Sequence, residues 1–193
     1  DSLQETHPEI TYMKNKVSNG RYKYWKTMTT LFKEASQYKT NAVLQIDDDF
    51  ILCNSFLNKL MDCFFELKRK NNRFLGISYH LYGRNHRTET RWGCSNGNWT
   101  DGGCLYDVNF LRYVNYSVDS VPKSRWKQNP RLSSGVWEQI SRKITTYKGL
   151  IYKTKYSLVN HDGVIYSSMG RNKKKPNIHN TYKFIDNYGN VKP

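Results

Sequence analysis

Apolar positions recur with a helical period from Arg21 to about Ala35, falling at Tyr24, Trp25, Met28, Leu31, Phe32 and Ala35. One buried face at that spacing predicts an amphipathic helix. A short apolar run, Val43 to Ile46, predicts a buried strand. Asn54 or Ser55 is placed to cap a second helix, whose expected buried face is Phe56, Leu57, Leu60, Met61, Phe64 and Phe65. That helix ends on Lys68-Arg69-Lys70, which suits the negative end of its dipole. Phe74 to Tyr79 reads as a further strand, and Ile10 to Met13 as an earlier short one before a turn at Asn19-Gly20. This alternation predicts an α/β layered fold with a mainly parallel sheet flanked by helices.

The pattern changes after Tyr79. Residues 80–103 are polar, aromatic and glycine-rich, and a loop of that length is usually functional. Gly103 to about Tyr113 predicts a small strand turning into a helix, and residues 115–132 are irregular and basic. Ser134 to Thr146 predicts a helix; Leu150–Tyr152 and Ser157–Val159 predict short strands. From Gly170 onward the chain is polar and basic with no helical or strand period. The expected organisation is one domain, residues 1–169, and a basic tail or lid, residues 170–193.

Composition adds constraints rather than a function. With 193 residues the chain can bury a real core, and 15 Tyr, 8 Phe and 5 Trp offset a hydrophobic content of 37%. No apolar run approaches the ~20 residues that span a bilayer, so no integral membrane segment is expected. Asp1 to Glu5 does not read as a signal peptide, and the four cysteines form no CxxC pair. A cytoplasmic protein with reduced thiols is the simplest expectation, although Cys94 and Cys104 could pair across a loop. The net charge of +15 fits nucleic acid, an anionic surface or an anionic small ligand, and does not choose among them.

The most informative chemistry is Asp47-Asp48-Asp49, which ends the Val43–Ile46 run. Clustered carboxylates at the tip of a buried strand repel one another unless a cation or strong donors compensate. Hard oxygen ligands suit Mg2+ or Mn2+, particularly where the metal also holds phosphate oxygens. On an extended strand the side chains of Asp47 and Asp49 share a face, so these two are the expected metal ligands, with Asp48 opposite in a structural or ribose-contact role. The bland alternative is a loop of solvated acids.

A second polar strand end is Leu158-Val159-Asn160-His161-Asp162. His161 alone reads as a structural residue; beside an acid cluster it reads as a third metal ligand. Trp99-Thr100-Asp101-Gly102-Gly103 is either a glycine turn or a close approach to a sugar, with Trp99 and Asp101 flanking it. Glu138, beside Trp137 at a helix start, is explained by the helix dipole alone and is also a candidate general base. Arg171 and Lys173 to Lys175 read as a solvated tail or as a lid over a diphosphate.

In this order, these pieces resemble the nucleotide-sugar-dependent glycosyltransferases of the GT-A fold with a DXD motif. The matching residues are Leu44-Gln45-Ile46-Asp47-Asp48-Asp49-Phe50, Thr100-Asp101-Gly102-Gly103-Cys104-Leu105-Tyr106, and Ser157-Leu158-Val159-Asn160-His161-Asp162-Gly163. The likeness extends over roughly residues 10–170 and is closest in style to small algal-virus and bacterial members, so a viral chain would act in the host cytoplasm. It implies that Asp47 and Asp49 bind Mn2+ or Mg2+ together with His161, and that Asp47 and Asp48 contact a UDP-sugar donor. It implies that Asp101 and Glu138 lie on the acceptor side, one of them the base of an inverting reaction. Asn19, Arg21 and Lys23 are candidate nucleotide contacts, with Arg171 and Lys173 for the diphosphate. The family normally opens with a strand–helix–strand unit that holds the base. Only about nine residues precede Ile10, so that unit is expected to lie upstream of this chain. The expected activity is transfer of a hexose or deoxyhexose to a glycan or glycoprotein hydroxyl, with no nucleic-acid partner. Two other classes fit parts of the pattern: a basic metal-dependent phosphoryl-transfer enzyme acting on nucleic acid, and a carbohydrate-binding module built on the tryptophans.

Overall fold

The computed structural model describes residues 24–47, 50–80, 103–118, 136–154, 156–161, 184–185 and 191–192. Helix α1, Tyr24–Ala35, leads into strand β1, Ala42–Gln45, then β2, Phe50–Leu52. Helix α2, Phe56–Lys70, precedes β3, Phe74–Ser78. Strand β4, Cys104–Asp107, runs directly into α3, Val108–Tyr113. Helix α4, Val136–Thr146, turns into β5, Leu150–Lys153, which is followed by β6, Val159–His161. The short strands β7, Phe184–Ile185, and β8, Val191–Lys192, pair with each other.

The main sheet has the order β1-β4-β3-β5. Both ladders made by β4 are antiparallel, and β3 with β5 is parallel. The expected mainly parallel sheet is therefore corrected to a mixed one with more antiparallel pairing. The reason is specific. Strands β1 and β3 do run the same way, as the strand–helix–strand spacing predicts, but β4 inserts between them in the opposite direction. Gly76 permits this: a Cβ there would lie 2.4 Å from the Leu105 carbonyl oxygen of β4.

Both faces of the sheet are covered. On one, α2 sets Phe56, Leu60, Cys63, Phe64 and Leu67 against Phe74, Ile77, Tyr79 and Leu105. On the other, Met28 and Phe32 of α1 and Val136, Ile140 and Ile144 of α4 pack with Cys104, Tyr106, Phe110 and Ile151. Neighbours along β4 alternate between the two cores, Leu105 to one and Cys104 and Tyr106 to the other. At the β4–α3 junction, Asp107 is 1% exposed; it accepts the Asn109 amide at 2.8 Å and pairs with Lys68 at 2.6 Å.

Several expectations need correction. Leu57 and Phe65 are exposed, while Cys63 and Leu67 take their places in the buried stripe of α2. Leu31 of α1 is also exposed. Ser55 does stand at the start of α2, but in the left-handed region (φ 53°) with no side-chain cap hydrogen bond. The strand expected at Ser157–Val159 lies instead at Val159–His161. The tail expected to lack strands contains β7 and β8, and β7 lies beside β6. Among the described residues no helix is long and apolar enough to cross a membrane.

Candidate metal and donor site

Because β1, β3 and β5 run one way and β4 the other, one edge of the sheet gathers a defined set of groups. It holds Ile46-Asp47 after β1, Tyr79-His80 after β3, Thr154 after β5 and Gly103 before β4. The carboxyl ends of strands are where open α/β sheets bind ligands.

Asp47 is half-buried there, and the Gln45 side-chain amide donates to its Oδ1 at 3.2 Å. The Phe50 amide, at the start of β2, donates to the Asp47 carbonyl at 3.3 Å. Strand β1 ends at Gln45. Because β1 stops there, strand alternation assigns no shared face to Asp47 and Asp49. Asp48 and Asp49 lie outside the described residues.

Strand β2 pairs antiparallel with β6, in the register Phe50↔His161, Ile51↔Asn160 and Leu52↔Val159. The Cys53 amide extends the ladder to the Leu158 carbonyl at 2.9 Å. His161 thus stands across from the residue that follows Asp49. Two polar strand ends far apart in sequence meet at one edge.

An aromatic floor supports this edge. The Phe50 ring meets His80 edge-on at 4.7 Å and Tyr79 at 6.5 Å. Tyr79 is fully buried and donates its hydroxyl to the Gln45 carbonyl. Burial, then Cys104 and then the Asp47 carboxylate raise the Tyr79 hydroxyl well above the usual tyrosine range, so it stays protonated and donating. Gly103 is required by these rings: a Cβ would fall 2.7 Å from Tyr79 Cε2 and 3.0 Å from Phe50 Cε2. Of the segment Trp99–Gly103, Gly103 alone is described, and ring packing is what its missing side chain allows. Cys104 is fully buried; Cys94, its expected candidate partner, lies outside the described residues.

Glu138 belongs to the first turn of α4. A tight turn joins α4 to β5, with the Gly149 amide donating to the Ile144 carbonyl at 3.2 Å. A helix joined so closely to its strand runs back along it, which sets the Glu138 end of α4 toward the carboxyl edge. Asp101, Asn19, Arg21, Lys23, Arg171 and Lys173 lie outside the described residues. Among the described residues no three acid, histidine or cysteine side chains cluster for a metal, and the metal reading requires Asp49, which is not one of them.

The residues that sequence reasoning missed are His80, Tyr79, Gln45 and Phe50. His80 carried the same signal as the aspartates, a polar group at the end of a buried apolar run, and is 1% exposed. Carboxylate oxygens together with one imidazole are donor types that suit Mn2+ or Mg2+. A scan against protein-family models finds no match to this chain, and a search of curated proteins finds none.

Proposed function

We propose that this chain is a divalent-metal-dependent glycosyltransferase that moves a hexose or deoxyhexose from a UDP-sugar to a glycan hydroxyl. The observation that supports it most is the β2–β6 register, which sets His161 against the residue after Asp49. That register brings the two polar strand ends together at the carboxyl edge, where open α/β sheets bind ligands.

In this reading Asp47, Asp49 and His161 hold Mn2+ or Mg2+, and Asp48 contacts the donor. Bound there, the metal supplies charge stabilisation for a departing nucleotide diphosphate. Asp101 or Glu138 accepts the proton of the attacking hydroxyl. Arg171 and Lys173 add positive charge around the phosphates, and Asn19, Arg21 and Lys23 serve the nucleotide. The fold family and the inverting assignment belong to the same proposal.

The test is calorimetry of UDP binding with and without Mn2+, followed by transfer assays over a panel of UDP-sugars. Mn2+-dependent UDP binding that Asp49→Ala abolishes is the expected result. Absence of UDP binding in the presence of Mn2+ overturns the reading. Metal-dependent cleavage of DNA would assign the site to phosphoryl transfer instead.

A further inference from the structure

We propose that Gln45 is a positioning residue that sets the Asp47 carboxylate for its cation; this rests on the metal reading above. Gln45 closes β1, and its backbone is held from two sides. It is in register with Cys104 across the β1–β4 ladder, and its carbonyl accepts the Tyr79 hydroxyl. Tyr79 is itself fixed. Its ring lies against the bare α-carbon of Gly103 and meets Phe56 edge-on at 5.0 Å. Its amide donates to the Gly103 carbonyl at 3.2 Å, and its carbonyl accepts the Leu158 amide at 3.0 Å. One buried residue, by its backbone and its hydroxyl, thereby ties β1 to the start of β4 and to the chain entering β6.

From that anchored backbone the Gln45 amide reaches Asp47 Oδ1 at 3.2 Å. A carboxylate held by a hydrogen bond has already lost much of its rotamer freedom before it meets a cation. The type of donor matters as much as its place. Lysine or arginine here would neutralise Asp47 and compete with the metal, whereas a neutral amide orients the carboxylate and leaves its charge intact. Hydrogen-bond partners of metal ligands commonly govern affinity by tenfold or more.

The experiment is Mn2+ titration of the full chain without nucleotide, read by the electron-paramagnetic-resonance signal of free Mn2+, alongside thermal unfolding. Gln45→Met keeps the length and removes the donor. It is expected to weaken Mn2+ binding about tenfold while the unfolding midpoint stays near the wild-type value. Tyr79→Phe, which keeps the ring and releases the Gln45 carbonyl, is expected to weaken binding in the same direction by a smaller factor, and it decides the matter should Gln45→Met fail to fold. Wild-type affinity in a folded Gln45→Met protein overturns the positioning role alone. A wild-type chain that binds no Mn2+ overturns the metal reading and this inference with it.

Discussion

His161 stands opposite Phe50 in the β2–β6 ladder, although more than half the chain separates them. The pairing brings the end of the aspartate cluster to the only histidine-bearing strand among the described residues. If His161 completes a metal site, His161→Ala should weaken Mn2+ binding by about a hundredfold, or ~2.8 kcal/mol at 1.4 kcal/mol per factor of ten. Calorimetry with Mn2+ alone measures this; an unchanged affinity would leave His161 a strand residue only.

Gly103→Ala should destabilise the fold. Its Cβ would meet aromatic carbons of Tyr79 and Phe50 at 2.7 and 3.0 Å, and both rings are packed by other residues. Overpacking of this kind costs ~1–3 kcal/mol, measurable as a lower urea midpoint. Equal midpoints for variant and wild type would show that the rings can yield.

Two leucines of α2, both expected in its buried face, should behave oppositely. Leu60 is 0% exposed and Leu57 is 54% exposed. Leu60→Ala should cost ~2–5 kcal/mol in chemical denaturation. Leu57→Ala should stay within about 0.5 kcal/mol of wild type. A large loss at Leu57 would mean that its exposed surface is covered in solution.

Stability should fall in alkaline solution. Burial, then the neighbouring Asp62 and Glu66, push the Cys63 thiol up from 9.0 to about 11, and burial raises Cys53 and Tyr79 as well. A group whose folded pKa is raised holds its proton more tightly in the native state. Its contribution is complete below the unfolded value and is lost as pH rises through the folded one. For Cys63 that window runs from about 9 to about 11. Urea midpoints of wild type and Cys63→Ala across this range should converge as pH increases; parallel curves would remove Cys63 from the account.

Breaking the Lys68–Asp107 pair should also be felt. Asp107 is 1% exposed and caps α3, so Lys68→Met leaves a buried carboxylate without its cation. Because the lysine side chain is 35% exposed, the expected cost is ~1–3 kcal/mol, below the figure for a fully buried pair. Urea midpoints of Lys68→Met and wild type at pH 7 measure it; equal midpoints would show that the pair contributes nothing.

How legible each feature was depended on its range. The α2 stripe was readable at Phe56, Leu60 and Phe64, because helical period is local. Leu57 and Phe65 were misjudged, because being apolar does not say which flank of a helix meets the sheet. Strands β7 and β8 are two residues each and carry no period to read. The candidate site was legible as two separate polar strand ends, Asp47 and His161. The supporting groups Gln45, Tyr79 and His80 were not, since nothing local marks a side chain that acts from a neighbouring strand.

By itself the sequence determined the order of α1 to α4 and of strands β1, β3, β4 and β5, the amphipathic character of the helices, and the acids and histidine that end apolar runs. These follow from periodicity and from the cost of clustered charge, both properties of neighbours along the chain. Only the tertiary structure decided that β4 enters between β1 and β3, that the Tyr79 ring packs over Gly103, and that His161 comes to Phe50. Strand order and register are set by which distant surfaces bury best against one another, and no window of sequence contains both partners.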